Sequence, residues 1–225
     1  MKLFSMDSPL MSFLEKVGHI MLLNWLMLIC CIPIVTIGPA VTAVYWVTLK
    51  MVRNEEGGLV QDFFHSFRVN LKQGIVVGLI ILGIGAALGF ELFWMYQIAQ
   101  FGGIFDKIVF FVFVFFAAAF LMTVNYVWAL LAKYNNSTKQ LFRTARALAV
   151  RHLIATVVMG VISIAPIVML MYTPASMTIA VLFYLWLGIP AIAYLQSIFM
   201  VKIFDMYPSA ESDEAEVTTE ALPEE

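Results

Sequence analysis

Residues 73–97 read QGIVVGLIILGIGAALGFELFWMYQ, a run whose one charge, Glu91, falls near its far end. At 1.5 Å per residue such a helix reaches roughly 37 Å, more than the ~30 Å of a bilayer's hydrocarbon core. A helix lying on a soluble core keeps a polar face at a 3.6-residue period. This run has none, so lipid is the solvent it fits.

The rest of the chain agrees. Of 225 residues, 62% are hydrophobic, 12% charged and 14% aromatic, and mean hydropathy is +0.92. A soluble domain carries about 45–50% apolar and about 25% charged residues, so too few charges remain to wet a globular surface. Disorder needs low hydrophobicity and high charge, which only the C-terminus offers. The runs at 17–36, 39–52, 73–97, 105–132, 152–172 and 176–201 predict an all-α polytopic bundle of about six spans. The second is short, roughly 21 Å, and is expected either to span or to re-enter. The first sixteen residues carry Asp7, Glu15 and Lys16, and no small-residue cleavage site follows, so the first apolar segment is expected to stay in the mature protein.

Charge divides the chain in two. Residues 205–225 hold eight acidic residues and no Lys or Arg; the remainder has thirteen basic and seven acidic ones, a balance of +6. The sequence therefore divides into a membrane domain, 1–203, and an acidic tail, 204–225, whose Ser, Thr, Glu and Pro content predicts a disordered cytoplasmic segment. Within the membrane domain, Lys50, Arg53, Arg68 and Lys72 cluster in one loop, and Lys133, Lys139, Arg143, Arg146 and Arg151 in another. Lys2, Lys16 and Lys202 fall on the same side, against Lys107 alone on the opposite one. The positive-inside rule then predicts both termini in the cytoplasm.

Both basic loops hold amphipathic stretches. Leu59, Val60, Phe63, Phe64 and Phe67 share one helical face opposite Gln61, His65, Arg68 and Lys72. Leu141, Phe142, Ala145, Leu148 and Ala149 share another, opposite Lys139, Arg143 and Arg146. Such helices lie along the headgroups and present cations to anionic lipid or to a partner. Their parallel settings suggest an internal duplication. Ser8 and Pro9 predict a helix start for a third piece, with Leu10, Met11, Phe13, Leu14 and Val17 as its apolar face.

Other residues carry competing readings. Pro33, Thr36, Gly38 and Pro39 break the helix between the first two spans; a tight turn is the simpler reading, and a broken helix lining a polar cavity the alternative. Glu91 is the one acid within a span, which marks it as a candidate substrate or proton site. It also lies beside Trp94 and Tyr96, where an aromatic belt and a hydrated carboxylate belong. Asn24, Asn125 and Gln196 are intramembrane amides, read as interhelical hydrogen bonders before ligand groups. Gly74, Gly78, Gly85 and Gly89 form a stripe for close helix packing. Pro166 and Pro190 would kink the last two spans. Cys30 and Cys31 are adjacent and have no metal-ligand spacing with His19, and no phosphate-loop, HExxH or GxSxG motif occurs. No catalytic residue, metal or cofactor is expected.

Asp7-Ser8-Pro9, Gly18, Asn24, the run from Ile32 to Ala40, the run from Leu49 to Gly57, Asp62-Phe63-Phe64, Phe67-Arg68, Asn70 and Lys72-Gln73 together resemble the YesL family, a domain of unknown function. The likeness extends more weakly to about Lys202 and omits the acidic tail. The resemblance implies a multi-pass plasma-membrane protein of mainly Gram-positive bacteria, often encoded beside sugar-uptake transporters and carbohydrate-degrading enzymes. An accessory, non-enzymatic role in carbohydrate uptake follows as an expectation. ABC-type sugar transporter subunits and anionic lipid headgroups are its expected partners, and nucleic acid is not. Arg53, Glu55, Glu56, Arg68, Lys72, Arg143 and Arg146 are its expected partner- or lipid-facing residues. The alternative is a small-solute transporter or channel near the Pro33–Pro39 break, with Asn24, Glu91 or Asn125 on the path; with so few polar groups inside, that alternative calls for an oligomer.

Overall fold

The computed structural model describes residues 9–207 apart from 56, 135, 136 and 173. The helices are α1 (Pro9–Cys30), α2 (Ile37–Arg53), α3 (Leu59–Val69), α4 (Leu71–Phe101), α5 (Ile104–Lys133), α6 (Thr138–Arg151), α7 (Leu153–Tyr172), α8 (Pro174–Trp186) and α9 (Gly188–Asp205). No strand occurs among the described residues. Five helical segments there are long and apolar enough to cross a membrane: Met11–Cys30, Ile34–Arg53, Leu71–Ile98, Ile104–Lys133 and Gly188–Asp205. The α6–α7 pair, bent by 104°, makes a sixth where the two are counted as one broken span. The chain is an all-α polytopic bundle.

Local chemistry sets the ends. α1 stops at Cys30, six residues before the expected end of the first span, because the chain turns ahead of Pro33. The Thr36 hydroxyl lies 2.6 Å from the Cys30 carbonyl and 2.7 Å from that of Pro33, and so satisfies backbone acceptors that the broken ladder leaves open. At the other end of α2, Asn54 takes a left-handed conformation (φ 55°) after the basic last turn of Lys50 and Arg53. Asp106 accepts a hydrogen bond from the Gly103 amide (2.9 Å) at the start of α5, and the Ser137 hydroxyl accepts one from the Gln140 amide at the start of α6.

α2 sits at the centre and packs against α9, α3, α4 and α5. Gly38, Ala40, Ala43, Thr42 and Thr48 on it are all buried, so neighbouring backbones come close. Half of the glycine stripe explains itself here. A methyl group on Gly38 would overlap the Gly74 carbonyl, and one on Gly74 would lie 2.9 Å from the Pro39 Cα and nitrogen. The Pro33–Pro39 segment is thus a tight turn whose far side is sealed by α4 backbone. Gly85 meets only the Phe120 ring at 3.6 Å, and Gly89 faces open space, so the lower stripe packs nothing closely.

One expectation needs correcting. The run 176–201 is not one kinked span: it breaks at Leu187 into α8 and α9, with Gly188 at φ +42°. Pro190 falls in the first turn of α9, where its missing N–H costs no ladder bond. The N-terminal piece starts at Pro9 and leads into the first span without a break as α1, with Met11, Phe13 and Leu14 exposed. α9 continues to Asp205, and Tyr207 packs against His152. Ser8 and residues 208–225 of the acidic tail lie outside the described residues.

Candidate functional site

The two basic segments meet at one end of the bundle. Lys50 on α2 pairs with Asp62 on α3 at 2.9 Å, and Arg53 pairs with Asp205 at the end of α9. Lys16 on α1 donates to the Asn54 amide oxygen (3.1 Å). Lys133 ends α5 over the rings of Phe204 (4.9 Å) and Tyr134 (5.2 Å). Burial pushes the Tyr134 phenol up, against the opposing pull of the Arg53 guanidinium. Trp46, Leu49, Lys50, Arg53, Glu55, Lys133 and Phe204 enclose a cavity of about 200 Å³ between these elements.

α3 and α6 flank that end with their cations outward. Phe63 on α3 is fully buried, Leu59 and Phe67 pack against the core, and Val60 and Phe64 remain exposed. On α6, Leu141, Ala145, Leu148 and Ala149 are buried as their spacing predicts. Arg68, Lys72, Arg143 and Arg146 are exposed, and none has an ion-pair partner among the described residues. Glu55 is exposed beside them; Glu56 lies outside the described residues. The seven expected docking residues therefore do not behave alike, since Arg53 is already held by Asp205.

Beneath this end lies a polar cluster in an otherwise apolar interior. The Tyr45 hydroxyl donates to the Gln196 carbonyl oxygen. The Gln196 amide donates to the Ser163 hydroxyl (2.7 Å), the Met159 carbonyl (3.2 Å) and the Asn125 amide oxygen (3.4 Å). Ser163 also donates to Asn125 (3.1 Å), while Thr48 and Ser197 share a bond of 2.9 Å alongside. Helices α2, α5, α7 and α9 are each tied to another in this way. Tyr45, Thr48, Ser163 and Ser197 carry no signal in the sequence, since one hydroxyl on an apolar helix looks like any other.

Asn24 and Glu91 do not join Asn125. Asn24 is fully buried, and its amide donates to the carbonyls of Leu185 (2.8 Å) and Tyr184 (3.2 Å). These are end carbonyls of α8, left open by the break at Leu187. Asn24 thus caps a broken helix, as backbone at membrane depth requires. Its oxygen faces the Gly188 α-carbon with no hydrogen-bond partner. Glu91 lies on the α4–α5 hairpin, half-buried, and has no polar partner among the described residues. The three groups line no common path.

Both cysteine thiols are free. Among the described residues no three His, Cys, Asp or Glu side chains stand close enough to hold a metal ion.

A family model described as "Protein of unknown function, DUF624" matches residues 20–92. That stretch holds the second half of α1, the Pro33–Pro39 turn, α2, α3 and about two-thirds of α4, including the Gly38–Gly74 contact. No curated protein and no solved structure matches the chain.

Proposed function

We propose that this chain is a non-enzymatic plasma-membrane protein, with both termini in the cytoplasm, that serves as an accessory to carbohydrate uptake by docking a transporter subunit on α3 and α6. The observation that carries the reading is the contrast among its cations. Lys50 and Arg53 are paired within the chain, whereas Arg68, Lys72 and Arg143 stand exposed at the same end with no such partner. Unpaired cations on α3 and α6, which are anchored to the core by Phe63, Leu141 and Ala145, suit an acidic partner surface. The likeness to the YesL family, through the turn and the first basic loop, supports the link to sugar transporters.

Crosslinking in native membranes followed by mass spectrometry tests the reading. An ABC-type transporter subunit should be recovered with the wild type and lost from an Arg68→Glu/Arg143→Glu variant that still inserts normally. Recovery undiminished by the charge reversal would refute docking through these helices.

A further inference from the structure

A groove of about 740 Å³ runs between α4, α5 and α6. Its walls are Ile80 and Ile84 from α4, with Phe116, Ala119 and Phe120 from α5. Its upper end is closed by α6, which contributes Phe142 and two cations, Lys139 and Arg146. The volume lies within the ~300–1,000 Å³ of small-molecule sites. The division of character is sharp: apolar along the two long helices, cationic where the amphipathic helix crosses.

The cations belong together. Lys139 and Arg146 are seven residues apart, two turns along one side of α6, with Phe142 between them. Both are exposed, and neither pairs with a carboxylate among the described residues. Arg143 stands on the same helix yet does not line this groove; it borders a neighbouring depression with Ser137 and Thr144, which Lys139 also lines from between the two. Ile80, Ile84 and Phe116 are exposed and lie on helices long enough to span a bilayer, so lipid is their neighbour.

We propose that this groove is a binding site for one anionic phospholipid, its phosphodiester held by Lys139 and Arg146 and one acyl chain laid along Ile84, Phe116 and Phe120. Charge complementarity selects the occupant. A zwitterionic lipid would bring a cation to a site that already has two, and a free phosphate would leave the apolar walls unused. The inference rests on the membrane placement of the chain and not on partner docking.

The test uses the purified full chain in detergent, stripped of lipid and titrated with phosphatidylglycerol or phosphatidylcholine, with bound lipid counted by native mass spectrometry. Wild type should retain phosphatidylglycerol over phosphatidylcholine by about thirtyfold, given the ~1 kcal/mol that each of the two basic residues contributes toward anionic headgroups. Lys139→Gln/Arg146→Gln should bring the ratio near one, while Arg143→Gln, which also removes one charge from α6, should leave it unchanged. Ala119→Trp, which fills the wall and keeps both cations, should also abolish retention. Equal retention of the two lipids, equal loss with Arg143→Gln, undiminished binding by Ala119→Trp, or displacement by millimolar inorganic phosphate would each overturn the assignment. Because no transporter is present, failure here leaves the docking result untouched; a chain soluble without detergent would instead remove the membrane placement beneath both.

Discussion

α2 and the α4–α5 hairpin are both apolar, yet the structure treats them in opposite ways. Over an apolar stretch of 18 residues, the α2 segment, with a mean hydropathy of 1.4, is 67% buried within the protein, whereas the corresponding stretches of α4 and α5, at 2.4 and 2.5, are each only 6% buried. In water the order would be reversed, since the most apolar helices would be driven inside. Here the greasiest surface faces outward, and the centre is built from Gly38, Ala40, Ala43 and the hydroxyls of Thr42, Tyr45 and Thr48. Lipid gives helices no hydrophobic reason to associate, so close backbone approach and hydrogen bonds must hold the core instead. Away from α2, the outer part of the hairpin packs on itself: Tyr96 meets Phe110 at 6.3 Å, and Gly85 meets Phe120.

The largest expected effect tests that contrast directly. Gly38→Leu or Gly74→Leu forces a side chain into touching backbones and should cost more than about 4 kcal/mol, read as loss of monodisperse protein after detergent extraction. Gly89→Leu, on the open lower stripe of α4, should leave the yield as it was. A tolerated Gly38→Leu would break the account of the core.

A smaller effect is expected at the α8–α9 break. Gly188→Ala combines a left-handed backbone with a clash on the Asn24 oxygen, and should cost about 1–3 kcal/mol. Asn24→Leu strands two carbonyls at a comparable cost. Thermal unfolding in one detergent would measure both, and the double variant should fall short of the sum because the two residues share a contact.

Smallest of all is Glu91→Gln, which touches no partner and should stay within about 0.5 kcal/mol of wild type. A large shift in stability would mean that the hairpin is covered by something, and that its carboxylate faces it.

The spans were legible to the extent that composition alone defines them. Residues 73–97 and 105–132 fall inside α4 and α5, because no other structure suits an uninterrupted apolar run of that length. The buried face of α6 followed from its 3.6-residue period, whereas on α3 the same period put Phe63 in the core but left Val60 and Phe64 exposed. The end of α1 was set by the turn ahead of Pro33 and by the Thr36 cap, which hydropathy does not register. The break at Leu187 was hidden for the same reason, since Ala180 to Ile192 is apolar throughout and only the backbone at Gly188 departs. The polar cluster was the least legible feature. Asn125 and Gln196 stood out as amides, but their partners come one at a time from α2 and α7, and no local spacing announces a contact between residues 151 positions apart. Glu91 drew attention as a buried charge would, yet its hairpin leaves it at the margin.

Asn24 reaches across 160 residues of chain to find its acceptors, and Tyr45, Thr48 and Arg53 wait almost as long for α9. A ribosome therefore delivers the central helix well before the groups that satisfy it. Until α8 and α9 emerge, Asn24 and Tyr45 have none of these partners, so the arrival of those two helices is what closes the polar interior.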